Sequence, residues 1–561
     1  VPVGTSSAAL SLAAALSPAH LEQARGPLAV ELPGDVRARI ARCREFVLEI
    51  SGSGRAIYGV TTGFGPLVAF EGRADGAGQS DNTILHHIVG HGELLPPEVV
   101  RAAVLARLFS LAHGRSGVSE HVVDALVAML ATDFAPAVPR LGSVGASGDL
   151  QPLAYVAHAL RGNGNAFLSG RLLPAADALG QAGLRVLELD GRDALAVVNG
   201  TSVTSAALGL AVAQATRSCR VAELLSALMT DVLGCGTEFA SPALLAAFGH
   251  PDVADAGAGL RTWLRGSTPS GERPLQEAYS IRCVPQLLGA ARTSVRHADE
   301  VVRRDLNGVS DNPLFFPETG EVVHGGNFFG QPGAFAADAL NVALVQVGNL
   351  AERQLDLLVD PHRTGGLPPM LSPAPGQQHA VQGIQISATA TVAAMRRAAA
   401  PASAQSLPTN LHNQDVVPFG TQAALTALDQ AKLLRYLHGG LAVALRQAVH
   451  VGARRPLAPR LAAVFDRIAA EVPAIVQDRP LDVAIGRVAD LLDRIVTEEA
   501  ERAGNAEHAG AEGVTAHGFD ARKFKVREFG AEESRVEESK AGEFNARERV
   551  AADNAAEMDG L

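Results

Sequence analysis

The sequence predicts a mainly α protein, a long-helix bundle core with a smaller N-terminal domain. Apolar residues recur at three- and four-residue steps over most of residues 95–500, while alternating, strand-like patterns are few and short. The 561 residues are 47% hydrophobic and 19% charged, which excludes disorder over most of the chain. At this length one compact core is not expected, so two folded regions or one long bundle are the alternatives.

PPEVVRAAVLARLFSLAHG (96–114) puts Pro97 near a helix start, spaces Val100, Val104, Leu108 and Leu111 along one face, and follows with Gly114. SEHVVDALVAMLATDFAP (119–136) offers Ser119 as an N-cap and stops before Pro136. The same periodicity runs through 202–232, 284–306, 333–360, 421–450 and 458–496. RGSTPSGERP (265–274) and DPHRTGGLPPMLSPAPGQQ (360–378) are rich in turn residues; loops of that length inside a helical domain are functional or disordered. Residues 497–561 hold 16 Asp/Glu against 9 Lys/Arg, and three of the four lysines, so a mobile charged tail or a loosely packed helix is expected there.

A net charge of −11 with no basic run argues against a nucleic-acid partner. No uninterrupted apolar run reaches the roughly 18–20 residues of a membrane span. The N-terminal apolar stretch has no basic segment ahead of it, so neither a membrane nor a signal peptide is expected. Cys43, Cys219, Cys235 and Cys283 form no C-x-x-C and have no histidine at zinc-finger spacing. Buried reduced thiols, a cytoplasmic location and no metal are the expectation.

The most specific string is GSVGASGDLQPLAY (142–155), in which small residues surround Ala146-Ser147-Gly148 and a helix opens at Asp149–Pro152. It resembles the aromatic amino acid ammonia-lyases and the related 2,3-aminomutases, a family that includes histidine ammonia-lyase. Other strings follow in the family's order over residues 45–496. They are IYGVTTGFG (57–65), VVNGTS (197–202), QEAYSIRCVPQ (276–286), SDNPLF (310–315), HGGNFFGQP (324–332), LAERQ (350–354), GLPP (366–369) and NLHNQDVV (410–417).

The resemblance implies that the tripeptide cyclises into 4-methylidene-imidazol-5-one (MIO). The amide nitrogen of Gly148 would attack the carbonyl of Ala146, and loss of water from the ring and from Ser147 would leave an electrophilic methylene. Residues 1–200 would form the domain bearing this loop, 201–496 the long-helix bundle and 497–561 the tail. Tyr58 is implied as the base for the β-proton, a task that needs a tyrosinate favoured by nearby donors or positive charge. Tyr279 and Asn199 would stabilise charge or the ring. Arg282, three residues after Tyr279 and on its face if helical, would hold the substrate carboxylate. Gln276, Phe328, Asn413 and Gln414 would complete the pocket. The implied assembly is a homotetramer whose sites combine several subunits, acting on a small aromatic amino acid.

Family members choose the ring through two adjacent residues. Aligning Asn82 and Gly90-x-Gly92 places His86 and His87 there: His86 where a tyrosine lyase bonds the phenol, His87 where a histidine lyase has its own histidine. Neighbours on a helix point about 100° apart, so one ligand-facing ring and one packing ring are at least as expected as two working together. Histidine lyases place Glu where this chain has Gln414, and a buried carboxylate serves an imidazole but not a phenol. The expectation is therefore a tyrosine ammonia-lyase giving trans-4-coumarate, with phenylalanine accepted more weakly. The alternatives are a tyrosine 2,3-aminomutase and a histidine ammonia-lyase giving urocanate. Pro418-Phe419 depart from the family's usual residues after NQDVV.

Overall fold

Helices form where apolar residues recur at helical spacing in the computed structural model, which describes residues 9–54 and 57–514, with side chains to residue 503. Those that position the site are α1 (Gly76–Leu85), α2 (Pro97–Ala112), α3 (Leu150–Leu160), α4 (Ser202–Leu233), α5 (Val284–Leu306), α6 (Gln331–Val359), α7 (Gly420–Val451) and α8 (Asp482–Val514). α4, α5, α6 and α7 pack against one another as the central bundle, and α2 lies against α4. The described residues up to Glu498 form one compact unit; from Glu499 the chain belongs to a second. Of the charged tail expected over 497–561, the part after Val514 lies outside the described residues.

α4 is buried on nearly every side, as an all-round apolar helix must be, and ends at Gly234 in the left-handed conformation that lets the chain turn away. α4 and α6 are long and apolar enough to cross a membrane, but the apolar window is wholly buried in the first and 72% buried in the second. Length and composition there reflect the protein core.

Three local expectations change. The 458–496 periodicity divides into Pro459–Glu471 and α8, because Pro473 and Pro480 cannot continue a helix through the segment between them. Ser119 stands at an N-cap position, but its hydroxyl and amide both donate to the buried Asp193 at 2.9 and 2.8 Å. α2 has no solvent face: Arg101 and Arg107 are as buried as its leucines. Arg101 donates to the carbonyls of Ala24, Gly26, Leu130, Thr132 and Phe134, so segment ends rather than water solvate its charge.

The strands are short. β1 (His91–Leu94) pairs antiparallel with β2 (Pro139–Leu141), with His91 opposite Leu141, and this fixes the start of the 142–149 loop. β3 (Leu314–Phe316) and β4 (Glu321–Val323) make a hairpin with Phe315 opposite Val322. Cys43, Cys219 and Cys235 are buried free thiols; Cys283 is half-buried.

Candidate active site

The Ala146-Ser147-Gly148 loop lies where the N-terminal ends of four helices converge. Asp149, fully buried just before α3, accepts from Thr204 N (2.8 Å) and Thr204 Oγ1 (3.0 Å) in the first turn of α4. It also accepts from Thr421 Oγ1 (2.5 Å) in the first turn of α7 and from Ser143 Oγ (2.9 Å). Gly330 N, at the start of α6, donates to Gly145 O at 3.1 Å, and Phe419 N, at the start of α7, donates to Val144 O at 3.0 Å. Burial pushes the Asp149 carboxyl up, and the donors around it pull the other way. Helix N-termini favour negative charge, so their convergence suits an anionic or electron-accepting group at this point.

Gly148 has φ +68°, and a Cβ there would meet the Gly200 backbone; Asp149 N donates to Gly200 O at 2.7 Å. Only glycine fits this conformation and this close approach. Phe419, one of the two departures noted in the sequence, takes a left-handed φ of 51° to bring its amide onto the loop.

The loop opens into a cavity of about 1360 Å³ lined by Tyr58, His86, His87, Ala146, Ser147, Gly148, Asn199, Phe328, Asn413 and Gln414. Tyr58 Oη accepts from Gly65 N at 2.9 Å, and its ring meets Phe64 edge-on. Asn199 Nδ2 donates to Asp311 Oδ1 (3.1 Å) and to Asn312 O (2.9 Å). Gln414 Nε2 donates to Ser147 Oγ of the uncyclised tripeptide at 2.6 Å.

The two histidines do not point apart. They follow the end of α1, with His86 as its C-cap, and both rings fold back along the helix. Each Nδ1 bonds the carbonyl four residues back, His86 to Asn82 O at 2.5 Å and His87 to Thr83 O at 2.7 Å. Their ring centroids are 3.7 Å apart, and both rings line the cavity. A carbonyl only accepts, so Nδ1 carries the proton in each ring and Nε2 is left as an acceptor. Burial, and then the neighbouring His86, push His87 down to about 4, so it is neutral at ordinary pH.

Gln276, Tyr279 and Arg282 are not among the residues lining the cavity of their own chain. Gln276 is exposed, Tyr279 is 71% exposed, and Arg282 lies over the Tyr279 ring at 4.7 Å within the short helix Tyr279–Arg282. The shared face expected from their spacing is present. What the sequence reading missed at the site are Phe64, Asn312 and Asn410, which line the cavity from inside or beside quoted strings, and Asp311 behind Asn199.

The profile of the family described as aromatic amino acid lyase matches residues 16–470. The chain belongs to that family. It is 39% identical over 495 residues to a histidine ammonia-lyase of Anaeromyxobacter sp. (strain K), covering 84% of this chain and 96% of the relative. Among solved structures it resembles tyrosine aminomutase from Streptomyces globisporus, with a TM-score of 0.82, 34% identity and coverage of 87% and 97%. Pantoea agglomerans phenylalanine aminomutase gives 0.81, 29%, 86% and 98%. The protein is thus an aromatic amino acid lyase family member with the fold of the MIO-dependent lyases and aminomutases, a family acting on small-molecule amino acids.

Proposed function

We propose that this family member is an ammonia-lyase that eliminates ammonia from L-histidine to give urocanate, using an MIO group formed from its own Ala146-Ser147-Gly148. The observation that carries the substrate class is the pair of imidazoles at the cavity wall, whose Nδ1 protons are tied to Asn82 and Thr83 so that both rings offer acceptors. An imidazole N–H satisfies such an acceptor, whereas a phenyl ring leaves it unpaired. Relatives 36% to 40% identical that are named histidine ammonia-lyase favour histidine. The Gln414 contact to Ser147 Oγ ends when that oxygen leaves as water, so it favours neither ring.

The residues present fit the prosthetic group: Gly148 is pressed onto Gly200 in a conformation open only to glycine, and the loop is clamped through Asp149. When formed, the group supplies an electrophilic methylene that no ordinary side chain offers. Around it, Tyr58 takes the β-proton, the imidazoles hold the substrate ring, and Phe328 packs against it. Gln276, Tyr279 and Arg282 of a neighbouring copy in a homotetramer complete the cavity, with Arg282 binding the carboxylate as a planar fork.

A tyrosine lyase or aminomutase is the second reading. A phenol O–H also suits an imidazole acceptor, and the S. globisporus relative is named for tyrosine. Incubation of purified protein with L-histidine, L-tyrosine and L-phenylalanine separately tests the choice. Urocanate as the dominant product is expected. Dominant coumarate would replace the proposal with tyrosine, and a β-amino acid would make the protein a mutase.

A further inference from the structure

We propose that Asp311, held by Arg192 and Arg107, is the positioning residue that fixes the Asn199 amide so that its oxygen, and not its NH2, faces the cavity; this rests on the lyase reading above. An asparagine side chain can present either end, and the two ends select opposite partners. Here both Nδ2 hydrogens have acceptors behind the site, Asp311 Oδ1 at 3.1 Å and Asn312 O at 2.9 Å. Neither a carboxylate nor a carbonyl can donate, so the reverse orientation would set Asn199 Oδ1 against two acceptors. The oxygen is thereby directed to the substrate side, where it accepts from an α-ammonium and repels a carboxylate.

Asp311 can do this because two donors besides the Asn199 amide hold its Oδ1. Asp311 and Arg192 have no exposed side-chain surface, and Arg192 Nη2 donates to Asp311 Oδ1 at 2.6 Å. Arg107 Nη2 stands 3.5 Å from Oδ2. Asn312 N donates to Oδ1 at 2.7 Å. The same Arg192 Nη2 reaches Asn312 O at 3.3 Å, so one guanidinium steadies both acceptors of the Asn199 amide. Gly200, next along, is confined from the same side, since a Cβ there would meet Arg107 Nη1. A neutral amide at position 311 would offer either a donor or an acceptor to Asn199 and would remove the one negative charge between two buried guanidiniums.

A double-mutant cycle tests this on the full-length enzyme, read as kcat and KM on whichever substrate is accepted and as intact mass. D311N is expected to lower kcat/KM about 100-fold with KM raised about tenfold, in protein whose mass is still two waters below the encoded value. Added to N199A, D311N should cost no more than about threefold further, because the residue it acts through is gone. R192K, which keeps the buried charge, should show the same pattern at about tenfold, and it decides the question if D311N does not fold. Losses that add in full in the N199A background, or a fall in kcat at unchanged KM, would mean a purely structural role and overturn the inference. Inactivity of the unmutated chain on both histidine and tyrosine would remove the lyase reading and this inference together.

Discussion

Gln414 reaches across 267 residues of sequence to donate its amide to the hydroxyl of Ser147. On the proposed MIO reading that hydroxyl departs as water, and a donor on it stabilises the departing oxygen. Replacing it by leucine removes about 1 kcal/mol of that assistance, roughly a fivefold slower second dehydration. Freshly made Q414L should therefore contain molecules one water below the encoded mass alongside those two below. A two-water deficit as complete as in the unmutated chain would show that the contact has no part in dehydration.

Gly148→Ala should prevent both folding of the loop and its chemistry. The new Cβ would enter the Gly200 backbone at a φ of +68°, and neither partner is a flexible side chain that can move aside. The cost is expected to exceed about 2 kcal/mol. Lower soluble yield and an intact mass equal to the encoded one are the signs to look for. Ser147→Ala, by contrast, should fold with an unchanged melting point, lack the exocyclic methylene and lose activity at least about 1000-fold.

His87 makes stability depend on pH in a defined direction. Its value falls from the usual 6.5 to about 4 in the folded protein, so the unfolded chain binds the proton more readily. The stabilisation is fully present above about pH 6.5 and is lost as pH drops toward 4, amounting to about 3 kcal/mol. Melting points of the parent and H87F between pH 7 and pH 4.5 should diverge, with the parent falling more steeply. Parallel slopes would mean that the ring is solvated in the folded state.

Tyr58 lines the cavity while Arg282 lies elsewhere on the same chain, and this gives a clean test of shared sites. Y58F and R282A homomers should each retain less than about 1% of activity. Co-expressed, they should regain a measurable fraction, because some cavities then combine an intact Tyr58 from one copy with an intact Arg282 from another. Mixed oligomers as inactive as either parent would place both residues in one copy's site, or Arg282 outside it.

The helices were legible because their periodicity is local. The burial of α2 was not, because the carbonyls that surround Arg101 come from residues 24–26 and 130–134. The division at Pro473 and Pro480 was visible and was overridden by apolar spacing on either side. At the site, family strings pointed to Tyr58, the tripeptide and Asn199, and the alignment on Asn82 and Gly90-x-Gly92 to the histidine pair; all of them line one cavity. Such strings carry membership but no address, so they could not place Tyr279 and Arg282 outside that cavity. Nor could they say which end of Asn199 faces inward, since that follows from Asp311, a residue inside a quoted motif whose role depends on contacts 112 residues apart.

The clamp on Asp149 has a consequence in time. Ser143 and Thr421, whose hydroxyls are 2.7 Å apart, are separated by 278 residues, and Thr421 also holds the Asp149 carboxylate. During synthesis the ribosome completes the tripeptide long before it adds the threonine that holds Ser143 and Asp149 on either side of it. On the proposed MIO reading, ring closure belongs to the finished molecule, and each mass deficit becomes a permanent chemical record that the loop and the start of α7 met. A truncated chain ending before residue 420 should carry no such mark, and mass spectrometry could count correctly folded copies in a mixture without any assay of turnover.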